Sequence, residues 1–366
     1  MPSPPRVLFA VRRDLEEFAG GDTVQILNTA KELRILGVEV QFTSDPAANL
    51  EGFDCLHLWH LERVHESYIF YERGKACGIP KVLSTIYWPF RDPETGPRIA
   101  RIIKEQFKNA YRFTVARDRS EQRAIRHVLR TGWNTCRHRL LSGVDMLLPN
   151  SQAEADILAR QTDTSSRIHV VPNGIDTGEC ESVLGQVSTA ERHGILSVGQ
   201  FDPRKNQLHL VRAVKNLDAG VTLIGAARRM HKRYYQQCRN EAGLRILFTG
   251  AMNHEDVLRH MARSRVHVCP SLAETPGLVN LEAAVMGCTL VLPDCLPVRE
   301  YFADMAVYFK PGDISSLQAA IRRALGVPSS SQLRDRILSR FTWRNAATAT
   351  LEAYQAVLTN GRLRGR

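Results

Sequence analysis

Three signatures are missing from this sequence, and each absence removes a class of answer. No Asp-x-Asp pair occurs in the 366 residues. A divalent cation held on a diphosphate by paired carboxylates is therefore not indicated, and no metal site or cofactor is expected. No Cys-x-x-Cys pair occurs either. The eight cysteines (Cys55, Cys77, Cys136, Cys180, Cys238, Cys269, Cys288 and Cys295) are scattered, which argues against a zinc or redox motif and for plain, mostly buried thiols. No apolar run approaches the roughly 20 residues of a membrane span, and Arg6–Val11 is too short for an export core. The expected location is the cytoplasm, with peripheral attachment to the inner face of the membrane left open. Glycine and proline are ordinary in amount, so a collagenous or disordered class is out.

What the chain does have is length, positive charge and alternation. Its 366 residues accommodate two doubly wound domains. The formal charge of +11 favours anionic partners. Apolar strand patterns recur at Arg6–Val11, Val38–Thr43, Cys55–Trp59, Lys81–Tyr87, Met146–Pro149 and Ile168–Val171. They restart at Gly194–Val198, Val221–Ile224, Ile246–Phe248, Val266–Cys269, Thr289–Leu292 and Val307–Phe309. Helical patterns lie between them. One is predicted over Thr23–Leu36, capped by Asp22, with Val24, Leu27, Leu33 and Leu36 inward and Gly37 as its stop. Alternating strands and helices imply parallel sheets covered on both faces. The boundaries read as a first domain at 1–175, a second at 176–340 and a closing helix and tail at 341–366. A polar linker is expected near 173–188, and the closing helix can pack on either domain.

Residues 98–140 break the alternation with twelve Lys or Arg against three Asp or Glu. Arg98, Arg101, Lys104, Lys108 and Arg112 recur at helical spacing, as do Arg119, Arg123, Arg126 and Arg130. The stretch is either a pair of solvated helices or a surface for anionic lipid or an acidic acceptor.

Chemistry concentrates in two strand-to-helix loops, the usual ligand position in open α/β sheets. The first is Val198-Gly-Gln-Phe-Asp-Pro-Arg-Lys-Asn206. Its Arg204 and Lys205 can stabilise a diphosphate and the charge that grows on it as a sugar departs. The second runs through Pro270-Ser-Leu-Ala-Glu-Thr-Pro-Gly-Leu278 to Glu282. Glu274 sits in the loop and can accept from sugar hydroxyls. Glu282 sits on the following helix and can reach ribose hydroxyls. The backbone around Gly277 and Leu278 faces an anion at a positive helix end. Gly20-Gly21 after the first strand adds a tight loop, a weak signal alone.

Together with Val-Val-Pro-Asn-Gly-Ile-Asp at 170–176, these motifs resemble glycosyltransferase family 4 of the two-domain GT-B fold. The resemblance implies two Rossmann-like doubly wound domains facing across a cleft. It implies retaining, metal-independent transfer from a nucleotide-diphosphate sugar to a glycan or lipid-linked acceptor. Arg204 and Lys205 would contact the diphosphate, Glu282 the ribose and Glu274 the donor sugar, so Glu274, Lys205 and Arg204 are the catalytic candidates. The loop Gly250–Asn253, with Met252, would hold the base. Gly20, Gly21, Asn173, Gly199, Thr275, Pro276, Gly277 and Leu278 complete the donor-binding set. Many members carry a histidine after the fourth N-terminal strand; this chain has Ser84-Thr-Ile-Tyr-Trp88 there. His57 and His60 follow an earlier strand and are core or loop residues. A GT-B-shaped sugar-nucleotide epimerase would share the donor contacts. A nucleic-acid partner is not expected, because no zinc-finger or RNP signature appears in the sequence.

Overall fold

A computed structural model describes residues 4–17, 20–88, 119–161, 167–188, 191–328 and 330–364. The chain divides into two compact units, 1–172 with 344–366, and 173–343.

The first unit has five strands: β1 (Arg6–Ala10), β2 (Glu39–Thr43), β3 (Cys55–Trp59), β4 (Lys81–Ser84) and β5 (Met146–Leu148). They pair in parallel in the order β2-β1-β3-β4-β5. This order reverses direction between β1 and β3, so loops leaving those two strands diverge and open a crevice. β3 is buried at every position, as a central parallel strand should be. The second unit has six: β6 (His193–Val198), β7 (Val221–Ile224), β8 (Ile246–Gly250), β9 (Ser264–Val268), β10 (Thr289–Pro293) and β11 (Val307–Phe309). Their order is β11-β10-β9-β6-β7-β8, again parallel. Here the reversal lies between β6 and β9. Adjacent residues of one strand feed opposite faces. Leu196 joins a core with Leu258, Leu281 and Tyr301, whereas Ile195 joins one with Leu210, Val266 and Ile321.

Several expectations need correction. The first helix spans Gly21–Ile35 and buries Thr23, Ile26, Ala30 and Leu33. Val24 and Leu27 are 40% and 48% exposed. The inward stripe follows the i, i+4, i+7 spacing of Ile26, Ala30 and Leu33, about 100° per residue, and Val24 and Leu27 fall outside it. Asp22 does not cap this helix. Gly20 is the N-cap, and Asp22 is drawn to Arg12, with its Oδ2 at 2.7 Å from Nε. β4 stops at Ser84 rather than Tyr87, because buried Glu154 takes over the loop: its Oε1 accepts from Thr85 Oγ1 and from the Tyr87 backbone N–H. Residues 168–171 run beside β5 and its end, with His169 N–H donating to Leu147 O and Val171 N–H to Pro149 O, but form one bridge, Leu147 with Ile168, rather than a regular strand. The expected linker is largely the helix Thr177–Gln186, capped by Asp176 and anchored by buried Cys180 and Val183. Of the basic stretch, residues 98–118 lie outside the described residues; the helices Arg119–Thr131 and Trp133–Gly143 follow.

The last helix, Trp343–Arg364, groups with the first unit from Arg344 onward. Fully buried Tyr354 brings its hydroxyl 2.6 Å from His57 Nδ1. His57 stacks on Trp59 and also meets Ser84 Oγ at 2.9 Å. Burial lowers its pKa to about 3, so it is a neutral core histidine.

Gly174 of the 170–176 motif has a packing role. A Cβ there would stand 2.2 Å from the Thr342 carbonyl carbon and 2.3 Å from the Trp343 nitrogen, both backbone. Ile175 bonds that same segment, donating to Phe341 O and accepting from Trp343 N. With no flexible side chain to yield, Gly174→Ala should cost about 2 kcal/mol or more. The check is the urea unfolding midpoint; an unchanged midpoint refutes the close packing.

Candidate active site

The two chemistry-bearing loops leave neighbouring strands at the reversal of the second sheet: β6 runs into 199–206 and β9 into 269–277. Their backbones are tied directly, with Leu272 N–H donating to Arg204 O at 2.9 Å. The first loop is shaped by Asp202, whose Oδ1 accepts from Lys205 N–H at 2.9 Å. Asn206 then takes φ +57, a left-handed conformation that asparagine tolerates, and starts the helix Gln207–Ala213.

This pre-formed frame joins Lys205 and Arg204 to Glu274. Lys205 Nζ lies 2.5 Å from Glu274 Oε2, and Arg204 Nη1 lies 4.0 Å from Oε1. Arg204 also donates to Ala273 O at 3.3 Å. Ser271 Oγ donates to Glu274 Oε2 at 3.2 Å. Glu274 is only 5% exposed. Burial would raise its pKa, but Lys205 and Arg204 outweigh it and hold the carboxyl below its ordinary value. Glu274 is therefore an ionised acceptor at neutral pH. An ammonium has three donors, so the one on Glu274 does not exhaust Lys205.

Gly277 ends the second loop at φ +72 as the N-cap of the helix Leu278–Val285. A Cβ there would meet Asn280 Nδ2 at 2.6 Å and Glu274 Cγ at 3.2 Å, so glycine is required for Glu274 to sit as it does. Half-buried Thr275 and buried Pro276 precede it; Pro276 O accepts from Asn280 Nδ2 at 2.8 Å. Leu278 begins the helix, whose first N–H groups have no partner within it.

Glu282 lies on that helix and is bonded elsewhere. Its Oε1 meets His254 Nε2 at 2.9 Å, and His254 Nδ1 meets Glu179 Oε1 at 2.9 Å. Half-buried Met252 packs on the core two residues before His254. Gly199 takes φ +154 at the end of β6. Asn173 is buried; its backbone N–H donates to Tyr301 Oη at 2.8 Å, and its Oδ1 has no hydrogen-bond partner among the described residues. Gly20 and Gly21 belong to the first unit, beyond β1. Gly20 N–H donates to Thr23 Oγ1 at 3.2 Å. The structure thus brings Arg204, Lys205 and Glu274 into one cluster, sets Glu282 in a second and leaves the glycine pair in the other unit. His254 and Glu179 were not among the candidates: neither falls in a motif, and Glu179 is 75 residues from His254. Among the described residues no group of three or more His, Cys, Asp or Glu is arranged to hold a metal, and no helix is long and apolar enough to cross a membrane.

The family model "Glycosyl transferases group 1" matches residues 186–338. Glycogen synthase of Mycobacterium tuberculosis is 30% identical over 203 residues, 52% of this chain and 49% of that protein. The chain thus spans about half the length of the curated relatives it matches. Among solved structures, sucrose-phosphate synthase from Thermosynechococcus elongatus superposes with a TM-score of 0.71 at 16% identity, covering 98% of this chain and 100% of that one. Anabaena HepE in complex with UDP and glucose gives 0.66 at 16% identity, over 95% and 99%. The fold is an α/β fold of parallel sheets of the GT-B type.

Proposed function

We propose that this chain is a retaining glycosyltransferase of family 4 that moves a sugar from a nucleotide-diphosphate sugar to a glycan or lipid-linked acceptor without a metal. The observation that carries the reading is the Arg204–Lys205–Glu274 cluster at the reversal point of the second sheet. The match over 186–338 covers the same loops. When the bond between the anomeric carbon and the phosphate oxygen breaks, negative charge collects on the diphosphate. Arg204 and Lys205 stabilise that charge from fixed positions. Glu274, ionised and anchored, accepts from the donor sugar's hydroxyls and orients its ring. Glu282 takes the ribose, the 250–253 loop the base, and the N-terminus of Leu278–Val285 faces the diphosphate. The acceptor oxygen enters on the face the phosphate leaves, and the departing phosphate takes its proton, so configuration is retained. On this reading the first unit and its basic 98–140 stretch serve the acceptor or an anionic membrane face.

Because two cations do the neutralising, turnover should persist in excess EDTA. The measurement is release of nucleoside diphosphate from donor, with and without chelator. Activity abolished by EDTA and restored by magnesium or manganese would show that Arg204 and Lys205 are not the diphosphate's partners.

A further inference from the structure

His254 opens the helix His254–Arg263 behind the cap Asn253, and it lies between two carboxylates at equal distance: Glu282 Oε1 and Glu179 Oε1, each 2.9 Å from a ring nitrogen. An ionised carboxylate only accepts, and a neutral imidazole has only one N–H. Two such contacts require both nitrogens protonated, so the geometry is that of an imidazolium. A cation is unfavourable at a helix N-terminus; this one is held against the dipole by Glu282 and Glu179, the carboxylates that meet its ring. The acidic groups on the elements packed around it are, from the helix Thr177–Gln186, Glu179 and Glu181, with the cap Asp176. From its own helix they are Glu255 and Asp256, both engaged by Arg259 at 2.5 and 3.3 Å, and from Leu278–Val285 it is Glu282. The hydrogen bond donated to Glu282 dominates, burial opposes it, Glu179 adds to it, and the result is a pKa raised to about 9.

We propose that His254 is a positioning residue for the donor's ribose: charged and braced by Glu179, it holds Glu282 by one oxygen so that the other is presented to the vicinal diol. This rests on the reading of Glu282 as the ribose contact. The bland alternative is a surface ion-pair staple joining three helices. The His254 side chain is 47% exposed, and staples of that kind contribute little to stability. The two differ in what a ligand reports. A staple affects all ligands alike; a positioning residue affects only those with ribose hydroxyls.

The sign with pH follows. Below about 9 both N–H groups are present and Glu282 is held. Above it the ring is neutral with a single N–H shared between two carboxylates, so the charge that holds Glu282 is lost and ribose recognition weakens.

The test is calorimetric titration of the full chain with UDP, ADP and GDP, each beside its 2′,3′-dideoxy form. Wild type should bind one parent diphosphate about tenfold more tightly than the dideoxy form, the scale of a hydrogen bond to a charged group. His254→Gln should erase most of that preference, leave dideoxy affinity unchanged and keep the melting temperature near wild type. The wild-type preference should fade between about pH 8 and 10, and Glu179→Gln should move that fade to lower pH by removing an anion beside the ring. Preference intact in His254→Gln, or equal loss of parent and dideoxy binding, overturns the positioning role. Equal binding of both forms by wild type overturns the ribose role of Glu282 and this inference with it. Failure of every diphosphate to bind overturns the donor-site reading itself.

Discussion

Lys205→Ala should lower donor turnover by about two to three orders of magnitude, the scale on which one preorganised electrostatic contact to a transition state is lost. The argument rests on place and freedom. Lys205 is set by the Asp202 turn at the C-terminal end of β6, and its Nζ is anchored on Glu274 at 2.5 Å. It is thus a fixed charge at the crevice, aimed before any ligand arrives. Arg204, tethered to Ala273 O, cannot take over both roles. The loss should fall mainly on kcat, because the charge it meets develops as the sugar leaves. Removing it also leaves buried Glu274 with a more distant cation, so a lower unfolding midpoint is expected, with a single cooperative transition. The measurement is steady-state release of nucleoside diphosphate, at a temperature where circular dichroism shows both proteins folded. A rate within twofold of wild type would remove Lys205 from the chemistry.

Glu274→Gln should cost about as much in rate and should also change the acid side of the stability curve. Glutamine keeps the shape and the contact with Ser271 but cannot serve as an anion for Lys205 and Arg204. Because the folded carboxyl sits below its ordinary value, its contribution to stability is present above the unfolded pKa and is lost as pH falls through the folded one. Wild type should therefore lose stability on acidification below the usual carboxylate range more steeply than Glu274→Gln. Urea midpoints from neutral pH downward, with donor turnover at neutral pH, check both halves. Parallel acid curves would mean that Glu274 is not held ionised by its neighbours, and undiminished turnover would remove it from the site.

What could be read from the sequence was what is local. The strands of both sheets announce themselves because parallel strands buried on both faces are short continuous apolar runs, as at Cys55–Trp59 and Thr289–Pro293. The loops with Arg204, Lys205 and Glu274 were legible because a ligand crevice in such sheets lies at strand C-termini. That the three side chains converge was not, since their pairing spans 69 residues and depends on β6 and β9 being neighbours. The facing of the first helix was read only in part: Leu33 is inward as expected, but Val24 and Leu27 are displaced from the core face by Ile26 and Ala30, and only tertiary packing chooses between the two stripes. Asp22 has the composition of a cap, but Arg12 competes for it, and two N-terminal arginines are not distinguishable by pattern. The docking of the last helix is set by Tyr354 meeting His57 across 297 residues of chain. The ring of His254 is the same lesson at the site: its charge state is fixed by two carboxylates that no spacing rule brings together.

On the proposed reading the second unit binds a nucleoside diphosphate through Arg204 and Lys205 with no metal. Its most direct test is calorimetric titration of UDP, ADP and GDP into the full chain in EDTA, wild type beside Arg204→Ala/Lys205→Ala. One of the three should bind wild type one to one, and the double variant should lose at least about a hundredfold in affinity, two charge-assisted contacts being removed. Binding that appears only when magnesium or manganese is added, or that survives the double substitution unchanged, would contradict it.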